Sequence, residues 1–223
     1  MNWNVLLFVV FPYLALTTSV VGHIYRYRTD PYRWNARSSE LLEKDSLKVA
    51  SNLFHYGIIL ALIGHGGGLL VPQSVFDAVG ISGKAHTSMA IYLGAVFGTA
   101  AFIGQALLFR RRLTEKRVFV TSTLGDLITS VLLLLVIGVG TYNVYFGHYY
   151  VLDTVAPWIR GILTLRPDPS LMADVPPLYR LHVLSSFALF ACAPFSRLIH
   201  IWSAPLSYAF RSFIIFRKRG PEL

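Results

Sequence analysis

Five runs of mostly apolar residues limit the fold of this 223-residue chain more than any other feature. They cover about Trp3–Gly22, Val49–Val71, Thr87–Phe109, Leu124–Phe146 and Arg180–Trp202. A run of about 18 or more apolar residues is long enough to cross a bilayer. Within lipid, no water satisfies backbone N–H and C=O groups, so each run must be helical. The expected fold is an all-α integral membrane bundle of five transmembrane helices. Only 14% of residues are charged, against roughly a quarter in a soluble domain, so a polar surface cannot cover this chain. Met1–Asn4 carries no basic residue, and no clean small-residue cleavage site follows the first run. That run therefore reads as a permanent span and not as a removable signal.

The net charge of +9 suggests nucleic acid only until the charges are located. They lie between the apolar runs, where they act as topology signals and meet anionic lipid. The first connection holds Arg26, Arg28, Arg33, Arg37, Lys44 and Lys48. The third holds Arg110, Arg111, Arg112, Lys116 and Arg117, and the C-terminal tail holds Arg211, Arg217, Lys218 and Arg219. The second connection has only Lys84, and the fourth only Arg160 and Arg166. The positive-inside rule then puts the N-terminus on the periplasmic side and the C-terminus in the cytoplasm. The chain reads as one membrane domain, 1–205, followed by a cytoplasmic tail, 206–223, whose mixed aromatic and basic residues suit docking to a soluble partner or the membrane surface.

Four of the seven histidines fall inside two of the spans. Ionisable residues at membrane depth are rare and usually functional. With the second span running outward and the fifth inward, His55 and His200 lie near the cytoplasmic side, and His65 and His182 near the outer side. Antiparallel packing pairs His55 with His200 and His65 with His182, each pair able to hold one haem iron from opposite faces. Ten residues separate His55 from His65, about 15 Å of helix, and eighteen separate His182 from His200, five turns or about 27 Å on one face. Tilt and a kink at Pro194 are expected to absorb the mismatch, with the irons about 20 Å apart by averaging the two rises. Gly64, Gly66, Gly67 and Gly68 surround His65 and would let a flat macrocycle approach the backbone. A haem held by two imidazoles has no open position, so it relays electrons and does not bind oxygen. The single cysteine, Cys192, allows no intramolecular disulfide and no cysteine-ligated iron–sulfur cluster held by this chain alone.

The segments ASNLFHYGIILALIGHGGGLL (Ala50–Leu70) and RLHVLSSFALFACAPFSRLIHIWSAP (Arg180–Pro205) resemble the gamma subunit of bacterial respiratory nitrate reductase, as do the length, the five spans and the RRRL after the third span. The resemblance implies a di-haem cytochrome b of the cytoplasmic (inner) membrane with two b haems, held by the pairs already named. It implies oxidation of menaquinol or ubiquinol near the outer haem. Electrons would then pass to an iron–sulfur beta subunit and a molybdenum-containing alpha subunit that reduces nitrate. The family's quinol site includes a glycine before the outer histidine, matched by Gly64, and a lysine between the second and third spans, for which Lys84 and His86 are rivals. Arg197 and Arg112 are candidate partners of haem propionates. Asp126, opening the fourth span, reads as structural, a carboxylate at a helix N-terminus. His23, His86 and His148 lie near span ends, where interfacial or loop histidines are common. Two other readings compete: a cytochrome b serving another quinol-linked reductase, such as a heterodisulfide- or sulfite-reductase-associated complex, and a haemless metal or proton transporter.

Overall fold

The computed structural model describes residues 2–30 and 45–203. The tail at 206–223, the boundary at 205, and Arg33, Arg37 and Lys44 lie outside the described residues. Within them the chain is helical without a strand, and five helices are long and apolar enough to cross a membrane. These are α1 (Trp3–Thr29), α2 (Asp45–His65, continued by a π-turn at Gly66–Leu70), α4 (Gly83–Thr114), α6 (Leu124–Tyr142, continued by a π-turn at Asn143–Gly147) and α8 (Pro177–Cys192). Short helices lie between them: α3 (Gln73–Ala78), α5 (Lys116–Val120) and α7 (Val155–Leu163).

The helices run past the expected ends where a cap or a long side chain permits it. Ser82 caps α4 by accepting from Ala85 N–H at 3.3 Å, so this span starts at Gly83 and not at Thr87. Its basic end continues to Thr114, because arginine stems can lie along apolar surface with their heads in water. Thr123 and Asp126 form a reciprocal capping box that fixes the start of α6 at Leu124, as the sequence predicts.

Most of the apolar surface faces outward. In the most apolar stretch of each spanning helix, no more than 28% of residues are buried. Large side chains such as Leu14, Ile63, Tyr92 and Val96 are exposed. Apolar surface on this scale needs a covering phase, and five such helices give that role to lipid.

Neighbours pack in the order α2–α4–α6–α8–α1. The α2–α4 seam is the tightest, and two glycines make it so. A Cβ on Gly57 would sit 2.5 Å from Ala101 N, and one on Gly104 would sit 2.7 Å from Phe54 Cα. Small residues that let backbones approach are a main source of helix association in membranes. By contrast, α2 makes no extended packing contact with α8. The core beside α7 is built differently, around the fully buried Trp158 of α7, with Phe8, Ile162, Met172 and Phe187. Pro12 lacks the N–H that would bond Phe8 C=O in a regular helix. Trp158 Nε1–H takes that place at 2.9 Å and pins α7 to α1.

The kink expected at Pro194 is a complete break of the fifth span. α8 ends at Cys192, and the chain continues through 3-10 turns at Ala193–Phe195 and Arg197–Ile199 before the short helix α9 (His200–Ser203). Pro194 cannot donate to the helical ladder, and Ser196 is extended (φ −128°, ψ −177°), with its hydroxyl capping Leu198 N–H at 3.2 Å. The 27 Å separation of His182 and His200 therefore does not apply. The break falls at Pro194, where the mismatch between the two histidine spacings requires it.

Candidate functional site

The four span histidines meet as two pairs across the gap between α2 and the α8–α9 segment. The ring centres of His55 and His200 lie 6.0 Å apart, and those of His65 and His182 lie 6.1 Å apart. The pairing deduced from topology is the pairing observed.

Those separations have chemical meaning. An imidazole nitrogen sits about 2.0 Å from a bound metal ion, and the ring centre about 1.1 Å behind it, so two imidazoles on opposite sides of one metal have ring centres roughly 6 Å apart. The hydrogen bonds select the same tautomer four times. His55 Nδ1 lies 2.8 Å from Ser51 O, His65 Nδ1 2.7 Å from Ala61 O, His182 Nδ1 2.9 Å from Val136 O, and His200 Nδ1 2.5 Å from Arg197 O. A carbonyl oxygen only accepts, so each Nδ1 carries a proton and donates, leaving Nε2 as the atom for a metal. Among the described residues, no group of three His, Cys, Asp or Glu comes together as a metal site. The histidines come in twos, the number an axial haem requires.

The space around His65 also fits a flat group. A Cβ on Gly64, Gly66 or Gly67 would meet no protein atom within 4 Å, and one on Gly68 would meet only His86 Nε2, at 3.4 Å. These glycines line open space, unlike Gly57 and Gly104 in the helix seam. Gly140 of α6 has yet another use. A Cβ there would lie 2.7 Å from His182 Cε1, so its absence makes room for the ring. Arg160 of α7 donates to Leu69 O at 2.9 Å and holds the glycine π-turn after His65.

At the other end, Asp126 binds Arg197 through both guanidinium branches, Nε to Oδ1 at 2.8 Å and Nη2 to Oδ2 at 3.1 Å. Arg112 Nη1 stands 3.7 Å from Asp126 Oδ2 and donates to Ser122 Oγ at 2.8 Å. Both candidate propionate partners therefore have a protein carboxylate between them. Asp126 is structural as expected, but its reach extends beyond its own helix. It anchors the turn whose carbonyl, at Arg197, holds His200.

Lys84 and His86 differ sharply. Lys84 is exposed in the first turn of α4. His86 is buried at 6% exposure, with Nδ1 2.8 Å from Gln73 Oε1 and its ring 4.1 Å from that of Phe76. Of the other two span-end histidines, His148 is exposed at a left-handed position (φ 44°) that ends the α6 π-turn. His23 Nδ1 lies 2.6 Å from Ser19 O, with its ring edge-on to Trp202. Sequence reasoning did not single out Gln73, Phe76 or Asp77. No spacing signal marks them, because their meeting with His86 depends on how the connection folds.

Comparison with known proteins agrees with the geometry. The family described as nitrate reductase gamma subunit matches residues 4–219. This chain belongs to that family. It is 41% identical to the nitrate reductase gamma chain of Bacillus subtilis (strain 168) over 95% of this chain and 96% of that protein. It is 33% identical to the respiratory nitrate reductase 1 gamma chain of Escherichia coli (strain K12) over 97% and 98%. It is also 40% identical to the nitrate reductase-like protein NarX of Mycobacterium tuberculosis (strain CDC 1551 / Oshkosh), covering 96% of this chain but 34% of that longer protein. As a gamma-family chain with five apolar helices, it is a multi-pass membrane subunit of a respiratory nitrate reductase.

Proposed function

We propose that this chain is the membrane anchor and quinol-oxidising di-haem cytochrome b of its nitrate reductase. His55 and His200 would hold the inner b haem, and His65 and His182 the outer one. One observation carries the reading: two histidine pairs, each with ring centres about 6 Å apart and each Nδ1 engaged on a carbonyl. A b-type haem between two neutral imidazoles passes single electrons and offers no open coordination position.

The chain's own residues do the rest. Backbone carbonyls hold the four imidazoles in one tautomer, so that each Nε2 is available without a deprotonation step. Gly64, Gly66 and Gly67 leave the space beside His65, and Gly140 leaves the space beside His182. Quinol binds at the outer end. Buried His86, facing the glycine turn, takes the quinol-facing role in preference to exposed Lys84, with Gly64 shaping the approach. Asp126, Arg197 and Arg112 form a charged junction at the inner end, where electrons leave for an iron–sulfur beta subunit and then a molybdenum-containing alpha subunit. Excess Lys and Arg beside that end support a cytoplasmic position for it and a periplasmic one for the quinol end, in the inner membrane of a bacterium.

Reduced-minus-oxidised spectra of the purified complex, with a haem count per chain, test this. Two b haems in the wild type and about one in His65→Ala or His200→Ala are expected. A haemless wild type would overturn the cytochrome reading in favour of a metal or proton transporter.

A further inference from the structure

We infer that Gln73 is a positioning residue that fixes the tautomer of His86, so that His86 Nε2 faces the glycine turn as a proton acceptor for a quinol hydroxyl. This rests on the quinol-oxidising reading above and adds to it a residue that acts through the base.

The argument runs through one side-chain amide. Pro72 closes the π-turn after His65, and the short helix α3 then presents Gln73, Phe76 and Asp77 on one face, at spacings of three and four residues. Gln73 Nε2 lies 2.8 Å from Asp77 Oδ1 and 3.0 Å from Ile81 O. A carboxylate oxygen and a carbonyl oxygen are both acceptors, so the amide nitrogen belongs on that side. The amide oxygen must then be the atom facing His86, 2.8 Å from Nδ1. An amide oxygen cannot donate, so His86 Nδ1 carries the proton and Nε2 carries the lone pair.

The rest of the pocket agrees. Phe76 covers one face of the imidazole, with ring centres 4.1 Å apart at an interplanar angle of 32°. Nδ1 is engaged and that face is covered, while Nε2 looks toward Gly68, three residues beyond His65. Gly66 and Gly67 beside it line open space. Acidic Asp77 stands behind the amide and polarises it, so that Gln73 Oε1 is a stronger acceptor once the ring becomes cationic.

Quinol oxidation breaks two O–H bonds and removes two electrons. A b-type haem held by His65 and His182 would take these electrons one at a time. A hydroxyl proton moves to His86 Nε2, giving an imidazolium whose Nδ1–H stays on Gln73 Oε1. That proton then leaves to water on the outer side, and the base is ready for the second hydroxyl. A positioned base of this kind is worth about 10²–10⁴ in rate.

The experiment uses the whole nitrate reductase complex and a soluble menaquinol analogue, measuring kcat and KM with a haem count for Gln73→Leu, the double variant Gln73→Glu with Asp77→Asn, and His86→Gln. The expected result is a kcat lower by about 100-fold or more in His86→Gln and by about 10- to 100-fold in Gln73→Leu, with KM changed less than about threefold and two haems retained. Gln73→Glu keeps an oxygen on Nδ1 but would set its other oxygen against the Asp77 carboxylate, so it is made together with Asp77→Asn, whose amide can donate to the new carboxylate; this double variant is expected to stay within about threefold of wild type. A slow Gln73→Leu rescued by glutamate distinguishes tautomer control from simple loss of packing. Wild-type kcat in Gln73→Leu, with His86→Gln slow, overturns the inference and leaves the quinol reading standing. Wild-type kcat in His86→Gln removes the base assignment, and the inference with it. If Gln73→Leu loses haem, the double variant Gln73→Glu with Asp77→Asn decides: near-wild-type turnover supports the inference, and turnover as slow as that of His86→Gln overturns it.

Discussion

The His55–His200 and His65–His182 pairs, inner and outer in the proposed reading, reach nearly the same ring separation by opposite means. In the inner pair, His55 rides the regular α2 helix and His200 sits beyond the break in the fifth span. In the outer pair, His182 rides the regular α8 helix and His65 sits at the edge of the glycine π-turn. Each pair thus combines one ring on a regular helix with one ring at a helix break. The breaks are secured differently. A carboxylate–guanidinium fork from Asp126 to Arg197 secures the inner one, helped by Arg26 donating to Pro194 O at 2.8 Å. A single arginine–carbonyl bond from Arg160 to Leu69 secures the outer one. A regular helix places a side chain by its own backbone bonds, whereas a break needs a clamp from another element. The clamp at Arg197 is charged, and the one at Leu69 leaves open space beside it.

The largest effects should come from the rings themselves. His65→Ala is expected to abolish quinol-driven turnover while a reductant feeding the partner subunits directly still supports nitrate reduction. His200→Ala should remove the inner haem and leave the outer spectrum in place. Equal spectral damage at both ends from either change would break the two-pair description.

Next comes the inner clamp. Asp126→Asn removes one partner of a mostly buried ion pair and is expected to cost about 1–3 kcal/mol of stability. Its signature is local: a shifted potential or lower occupancy of the inner haem, with the outer haem unchanged by redox titration. A shift at the outer haem instead would show that the two ends are not separately held.

The two classes of glycine give a sharper test with a smaller energy. Gly57→Val must push into the Ala101 backbone and is expected to cost about 1–3 kcal/mol, read as a lower thermal midpoint in detergent. Gly66→Val meets no protein atom nearby, so the fold should persist while the outer haem is lost. Loss of the fold in Gly66→Val would mean that the glycine turn is a packing contact.

Smallest of all, Trp158→Phe keeps the ring but leaves Phe8 O without its donor. A loss of about 1 kcal/mol is expected, with both haems retained. Loss of the outer haem would show that α7 holds that site more directly.

Much of this molecule was legible in the chain itself. The five apolar runs dictated the spans, because lipid permits no unpaired backbone there. The second and fourth spans begin and end close to where their runs do. The antiparallel order of α2 and the fifth span dictated which histidine meets which, since depth in the membrane follows from position along a helix. Charge placement located Arg112 and Arg197 near one end, but could not show that Asp126 stands between them. That depends on the packing of α6 against α8, which no local spacing encodes. The break after Cys192 was signalled by Pro194, but its course through Ser196 was decided by tertiary contacts. A Cβ on Gly22 of α1 would sit 2.7 Å from Pro194 Cγ, so the bare glycine makes room for the break against α1. His86 read both as a rival of Lys84 and as an ordinary span-end histidine, because burial and the Gln73–Asp77 network arise only when α3 folds back over the start of α4. The glycines near His65 were visible as glycines, but whether a glycine fills a seam or lines a space depends on what lies opposite it. The sequence determined depth and pairing, which follow from helix periodicity and the membrane. Tertiary structure decided clamps, tautomers and open space, because those depend on atoms brought together from distant parts of the chain.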